Sequence, residues 1–142
     1  MTIKSYKNEF SPEQRKWIDA LKSGKYRKAK NYLMLVNKDN RPKGFCCLGV
    51  YCFISNQKWK PSTIIGDDHV FFGTKEQDSA LNTTQMNKLK LRSSMGQIKF
   101  TENYHTHNNL ASMNDDTSKT IKEIGIWIEK NPHLVFKNFT TK

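Results

Sequence analysis

The densest concentration of chemistry in this sequence lies between residues 22 and 30. There Lys22, Lys25, Arg27, Lys28 and Lys30 surround one aromatic ring, Tyr26. A guanidinium can fork onto a phosphate, whereas lysines act as point charges. Cations interleaved with an aromatic ring suit a ligand that combines a flat base with phosphate. Far along the chain, Asn114 and Asp115 offer polar groups that could hydrogen-bond a base or ribose. The candidate ligand-binding set is therefore Tyr26, Arg27, Lys28, Lys30, Asn114 and Asp115. This pattern signals the charge of a ligand but not its identity, because no helix-turn-helix, zinc finger, RNP motif or P-loop accompanies it.

Three other groups of residues invite a chemical reading. Cys46, Cys47 and Cys52 are spaced by one and then five residues. Metal sites favour Cys-x₂₋₄-Cys or a nearby His. On a helix, positions five and six apart differ by about 140° and about 240°, so these thiols do not converge. A nucleophilic Cys would need a lowered pKa and a His partner, and the sequence supplies no specific one. Core thiols are the simpler reading. His105 and His107 would point the same way on a strand and could grip a metal, with Asp115 or Asp116 as an arbitrary third ligand. Two ligands do not make a site, and exposed loop histidines are expected. Asp67-Asp68-His69 and Asn114-Asp115-Asp116 could bind Mg²⁺ or act as acids and bases. They read more simply as turns, with Asp115 or Asp116 capping a final helix. No catalytic residue, metal or cofactor is assigned.

The charge is uneven. The chain of 142 residues carries +11 overall. Residues 1–43 hold 12 Lys/Arg against four acids, and the remainder holds 12 against nine. Such a local excess attracts polyanions: nucleotides, nucleic acid, an anionic membrane surface or an acidic protein. The plain alternative is a solvated, lysine-rich exterior. With 36% hydrophobic and 11% aromatic residues, the chain can build a core. One domain over 1–142 is expected, with 1–10 flexible and 56–80 rich in loops. No apolar run approaches the ~18 residues of a membrane span. The polar, lysine-rich opening from Met1 to Phe10 lacks the apolar stretch of a secretory signal. Three reduced thiols fit a cytoplasmic setting.

Several elements must position these residues. A helix over roughly 11–23 is signalled by Ser11 as cap, Pro12 at the first position, Gln14 at capping-box spacing and the stripe Trp17, Ile18 and Leu21, with Gly24 as its stop. Asn31–Val36 reads as a buried strand and Asn37–Gly44 as a turn. Phe45–Ile54 starts as a return strand or passes into a buried helix, and periodicity cannot decide which. His69–Gly73 is a possible short strand, and Gln97–Phe100 another. Asn82 and Gln85 mark a short helix to Leu89, whereas Thr101–Asp116 is polar and irregular. A last helix runs from about Thr117 to Asn131, with Ile121, Ile124 and Ile128 on one face and Pro132 ending it. The expected class is α+β: two main helices plus a short helix packed on a small antiparallel sheet, with the hairpin around Asn37–Gly44 at its centre. Trp17, Leu21, Leu33, Leu35, Leu48, Val50, Ile124 and Ile128 should form the core.

Three stretches also share a likeness. They are Trp17-Ile-Asp-Ala-Leu-Lys-Ser-Gly-Lys-Tyr26, Gly44-Phe-Cys-Cys-Leu-Gly-Val-Tyr-Cys52, and Leu110-Ala-Ser-Met-Asn-Asp115 with Ile121, Ile124, Ile128 and Glu129. In that order the chain resembles a group of small bacteriophage-encoded accessory proteins with an aromatic-Cys-Cys-Leu-Gly-Val centre. It differs in having Met113 where the group tends to have Leu, and in a longer polar stretch from Asn56 to Ser79. The resemblance implies action in the bacterial cytoplasm and brings no activity with it. Small phage proteins often neutralise host factors, including nucleotide signals of defence systems. The leading expectation is thus a binder, rather than an enzyme, of a nucleotide-type host signal, serving counter-defence or host takeover. The alternatives are nucleic-acid binding, binding of an acidic host protein, and a Cys- or metal-dependent hydrolase.

Overall fold

The computed structural model describes residues 9–30, 32–36, 42–55, 60–65, 68–72, 80–99 and 108–139, of which 60–65 and 68–72 are described as backbone alone. The architecture is α+β. In chain order the elements are α1 (Pro12–Lys22), β1 (Met34–Val36), β2 (Pro42–Phe45), α2 (Cys47–Ile54), β3 (Lys60–Ile65), β4 (Asp68–Phe72), α3 (Thr83–Leu89), α4 (Leu110–Asp116), α5 (Ile121–Lys130) and α6 (Pro132–Val135). The strands form one antiparallel sheet in the order β2-β1-β4-β3.

The helix starts follow local chemistry. Ser11, Asn82 and Thr120 each accept from the backbone three residues on, and Gln14, Gln85 and Glu123 reach back, so α1, α3 and α5 all open on full capping boxes. Each such cap satisfies donors a free helix end leaves orphaned, worth about 1 kcal/mol. Thr120 therefore caps α5, and neither Asp115 nor Asp116 does. α5 begins four residues later than the expected Thr117 because Asn114-Asp115-Asp116 close a helix of their own, α4, in a stretch expected to be irregular. Pro132 ends α5 but also opens α6 at its first position, where its missing N–H costs nothing.

The sheet departs from expectation in extent. β1 covers only Met34–Val36, and its alternation buries Met34 and Val36 while leaving Leu35 half-buried. Leu35 is thus the one expected core residue that does not reach the interior. The 31–36 strand prediction begins at Asn31, which lies outside the described residues. The hairpin strand β2 stands at one end of the sheet order, not at its centre, and β3 lies within the 56–80 stretch expected to be rich in loops. Gln97 makes a single bridge to Asn109 rather than a strand.

The core sits between α1, α2 and α5, with Trp17, Leu21, Leu48, Val50, Ile124 and Ile128 all fully buried. Each such side chain contributes roughly 1.5–3 kcal/mol. The Trp17 indole N–H donates to the Cys47 carbonyl at 2.9 Å, which ties α1 to the start of α2. Gln14 is buried too; its amide donates to the Leu89 carbonyl and to Asn138 Oδ1 and pins α1 to the end of α3. Arg15 and Lys22 of α1 hold Glu129 of α5 at 2.7 and 2.6 Å. The Lys22 and Arg15 bonds keep that carboxyl below its ordinary range, although its exposure limits the gain. Among the described residues no helix is long and apolar enough to cross a membrane.

Candidate functional site

After α1 the chain turns at Gly24 and runs alongside β2. The Ala29 N–H donates to the Phe45 carbonyl and the Phe45 N–H donates to the Arg27 carbonyl, both at 2.8 Å. This parallel bridge between Lys28 and Phe45 seats the basic segment against the hairpin. Side chains from three separate elements meet there. Lys25, Tyr26 and Arg27 come from the segment after α1, Pro42, Lys43, Gly44 and Phe45 from β2, and Phe53 from the last turn of α2. Together they line an open groove of about 630 Å³, within the range of small-molecule sites.

The groove has an aromatic wall and cations along it. Phe45 is buried at its base; its ring lies 5.4 Å from Tyr26 and 5.1 Å from Phe53. Tyr26 and Phe53 are 6.1 Å apart at 74°. Such edge-to-face contacts are favourable arrangements for ring pairs. Phe53 is 40% exposed, the one large apolar side chain among the described residues that faces water to this extent. Lys25 and Arg27 are exposed beside it, as is Lys43.

The six residues singled out from the sequence divide into two groups. Tyr26 and Arg27 line the groove. Lys28, Lys30, Asn114 and Asp115 do not. Lys28 turns the other way and donates from Nζ to the Thr117 carbonyl at 2.7 Å, at the end of α4. Partial burial and then the neighbouring charge of Lys30 lower its pKa, with Asp115 opposing. Lys30 is exposed and close enough to Lys28 to act on it. Asn114 is fully buried. Its Oδ1 accepts from the Cys47 N–H at 3.1 Å, and its Nδ2 donates to the Ala29 carbonyl at 2.9 Å and to Asp115 Oδ1 at 3.0 Å. Asn114 therefore holds the back of the basic segment, and Asp115 accepts from its amide. The six candidates leave out Lys25, Lys43, Phe45 and Phe53, which also line the groove. Nothing local in the apolar run Phe45–Ile54 marks Phe53 as its outward residue, and the pairing of Phe45 with residues 27–29 joins segments that no local pattern links.

The cysteines are core thiols. Cys46, Cys47 and Cys52 are all free and buried. Burial raises Cys46 and Cys52 from the usual 9.0 to about 12, and Cys47 well above its ordinary value. A buried thiol held in its neutral form is a poor nucleophile. Among the described residues no group of three or more His, Cys, Asp or Glu is placed to hold a metal. His105, His107 and Asp67 lie outside the described residues, and Asp68 and His69 are described only as backbone of β4.

The thiols have a measurable consequence at alkaline pH. Tyr51, buried in α2 and donating to Glu13 at 2.7 Å, also rises from 10.0 to about 12, burial being the main cause. These groups keep protons in the fold that the unfolded chain gives up. Their stabilising contribution is complete below about pH 9 and is lost as pH rises towards about 12. The loss is about 1.4 kcal/mol per pH unit for each group titrating. Urea midpoints measured at increasing pH should fall steeply in that window. A midpoint that stays level across it would show that the thiols are not held as described.

Comparison with curated proteins and with solved structures finds no match. The model of a domain of unknown function, DUF8296, matches residues 11–132, most of the chain, and the protein belongs to that family.

Proposed function

We propose that this protein is a non-enzymatic binder of an anionic, nucleotide-type ligand, and that it serves a bacteriophage as an accessory protein that captures a host signal. The observation that carries the binding half is the groove itself: Tyr26 and Phe53 present aromatic surface where Lys25, Arg27 and Lys43 present positive charge. A base stacks on aromatic faces whatever its identity, and phosphate oxygens take charge-assisted hydrogen bonds from the guanidinium. The likeness to phage accessory proteins, carried by the Cys-Cys-Leu-Gly-Val string, supports the biological half.

The test is calorimetric titration of the full chain with cyclic nucleotides, ADP-ribose and nucleoside triphosphates, beside two variants. Phe53→Ala removes a half-exposed ring, and Arg27→Ala an exposed cation, so both variants should fold. Loss of one stacked base contact is worth about 1–3 kcal/mol, and loss of a charge-assisted hydrogen bond about 1.5–3 kcal/mol. Each variant should therefore bind at least about fivefold more weakly than the parent. Absence of binding to every compound by the parent, or unchanged affinity in both variants, removes the proposal.

A further inference from the structure

The rings set how many bases the groove can hold. Tyr26 and Phe53 meet at 74°, with centroids 6.1 Å apart. Phe45 closes the corner behind them, at 86° to Tyr26 and 66° to Phe53. Rings stacked in series would stand nearly parallel, each offering its own face to a successive base. Here the two accessible rings form two sides of a corner. A planar base laid on the face of one ring on the side of the other stands steeply to that second ring, and an edge-to-face contact of this kind is favourable. The corner is thus filled by one base.

The charge of the groove comes from neighbours of the rings in the chain. Lys25 and Arg27 flank Tyr26 in the chain, and Lys43 lies two residues before Phe45, so cations come from both the segment after α1 and β2, the two sides of the groove. One base and one phosphate would engage only part of that charge. Resting on the binding reading above, we infer that the groove takes a single nucleotide bearing several phosphates, and that it measures phosphate number instead of following a nucleic-acid strand.

Two titration series with the unmodified full chain test this. In the first, adenosine mono-, di- and triphosphate are compared at fixed ionic strength. Affinity should climb at each step and gain about tenfold or more overall, since 1.4 kcal/mol is a factor of ten. In the second, oligothymidylates of increasing length are compared. One corner predicts that affinity per molecule grows by no more than the statistical factor for the added bases. Affinity that multiplies with each added nucleotide, with a steep salt dependence, overturns the inference in favour of a strand-binding groove while leaving the aromatic-cationic site intact. Equal affinity for mono- and triphosphate overturns it as well. Failure of every nucleotide and oligonucleotide to bind removes the groove as a nucleotide site altogether and the inference with it.

Discussion

Replacing Gly49 with Ala should leave no folded protein. A Cβ at this position would stand 1.7 Å from the Leu33 carbonyl oxygen and 2.5 Å from its carbon. That carbonyl is fixed: it accepts from the Cys46 N–H at 3.2 Å and belongs to the residue immediately before β1. The obstacle is backbone rather than a flexible side-chain end, so the clash can be relieved only by moving α2 off the sheet. Moving it would break the Trp17–Cys47 hydrogen bond and open the core around Leu48 and Val50. The cost should exceed about 4 kcal/mol, a large part of the stability of a domain this size. The natural control is Gly24→Ala. Gly24 has a φ of +78° with nothing within 4 Å of an added Cβ, so only left-handed strain of about 1–2 kcal/mol is at stake. Circular dichroism and urea titration of both variants separate the cases. A cooperative Gly49→Ala protein with a midpoint near that of Gly24→Ala would show that α2 does not pack as described.

This same residue shows how unevenly the fold is written in the sequence. The helices with strong local signals are legible: Ser11 with Gln14, Asn82 with Gln85, and the isoleucine stripe of α5 all appear where capping chemistry and periodicity place them. In Phe45–Ile54 nearly every residue is apolar, so periodicity is silent. The change from strand to helix at Cys46 rests on its own thiol, which accepts from the Gly49 N–H as an uncommon cap, and on contacts with Leu33 and Asn114 from elsewhere in the chain. α4 escapes notice because Leu110-Ala-Ser-Met-Asn-Asp-Asp carries too few apolar positions to display a face. Its helix is closed by tertiary partners such as Lys28 on the Thr117 carbonyl. The groove is half legible for a related reason. The cation-rich segment stands out in composition, but which of its side chains share a surface depends on the bridge to Phe45, and composition cannot report that. Lys28, as cationic as Arg27, is drawn to a helix end, while Phe53 turns outward to complete the aromatic corner.

Asn114→Ala should couple these two observations by weakening the fold and the groove together. The Asn114 amide joins three elements. It receives the Cys47 N–H of α2, it donates to the Ala29 carbonyl of the basic segment, and it sits within α4. Truncation leaves the buried Cys47 N–H without its partner, at a cost of about 1–3 kcal/mol, and frees the half-buried Ala29 carbonyl at a smaller one. A loss of about 2–4 kcal/mol in unfolding free energy is expected. The groove should suffer beyond this loss, because Ala29 is the point at which residues 25–30 are tied both to Phe45 and to α4. With this tie gone, the segment bearing Tyr26 and Arg27 keeps the bridge to β2 and the Lys28 bond to the Thr117 carbonyl but loses its backbone anchor on α4, and a nucleotide bound as proposed must restore part of the order itself. Affinity measured well below the variant's unfolding midpoint should then fall although no ligand contact has been removed. Lys28→Met serves as the partner experiment. It cuts the bond to the Thr117 carbonyl but leaves Asn114 and the Ala29 tie in place. That variant should lose less stability and keep nucleotide affinity near the parent's. If Asn114→Ala unfolds at the parent's urea midpoint, the amide is not the joint described; if it is destabilised yet binds with full affinity, the tie through Ala29 does not shape the groove.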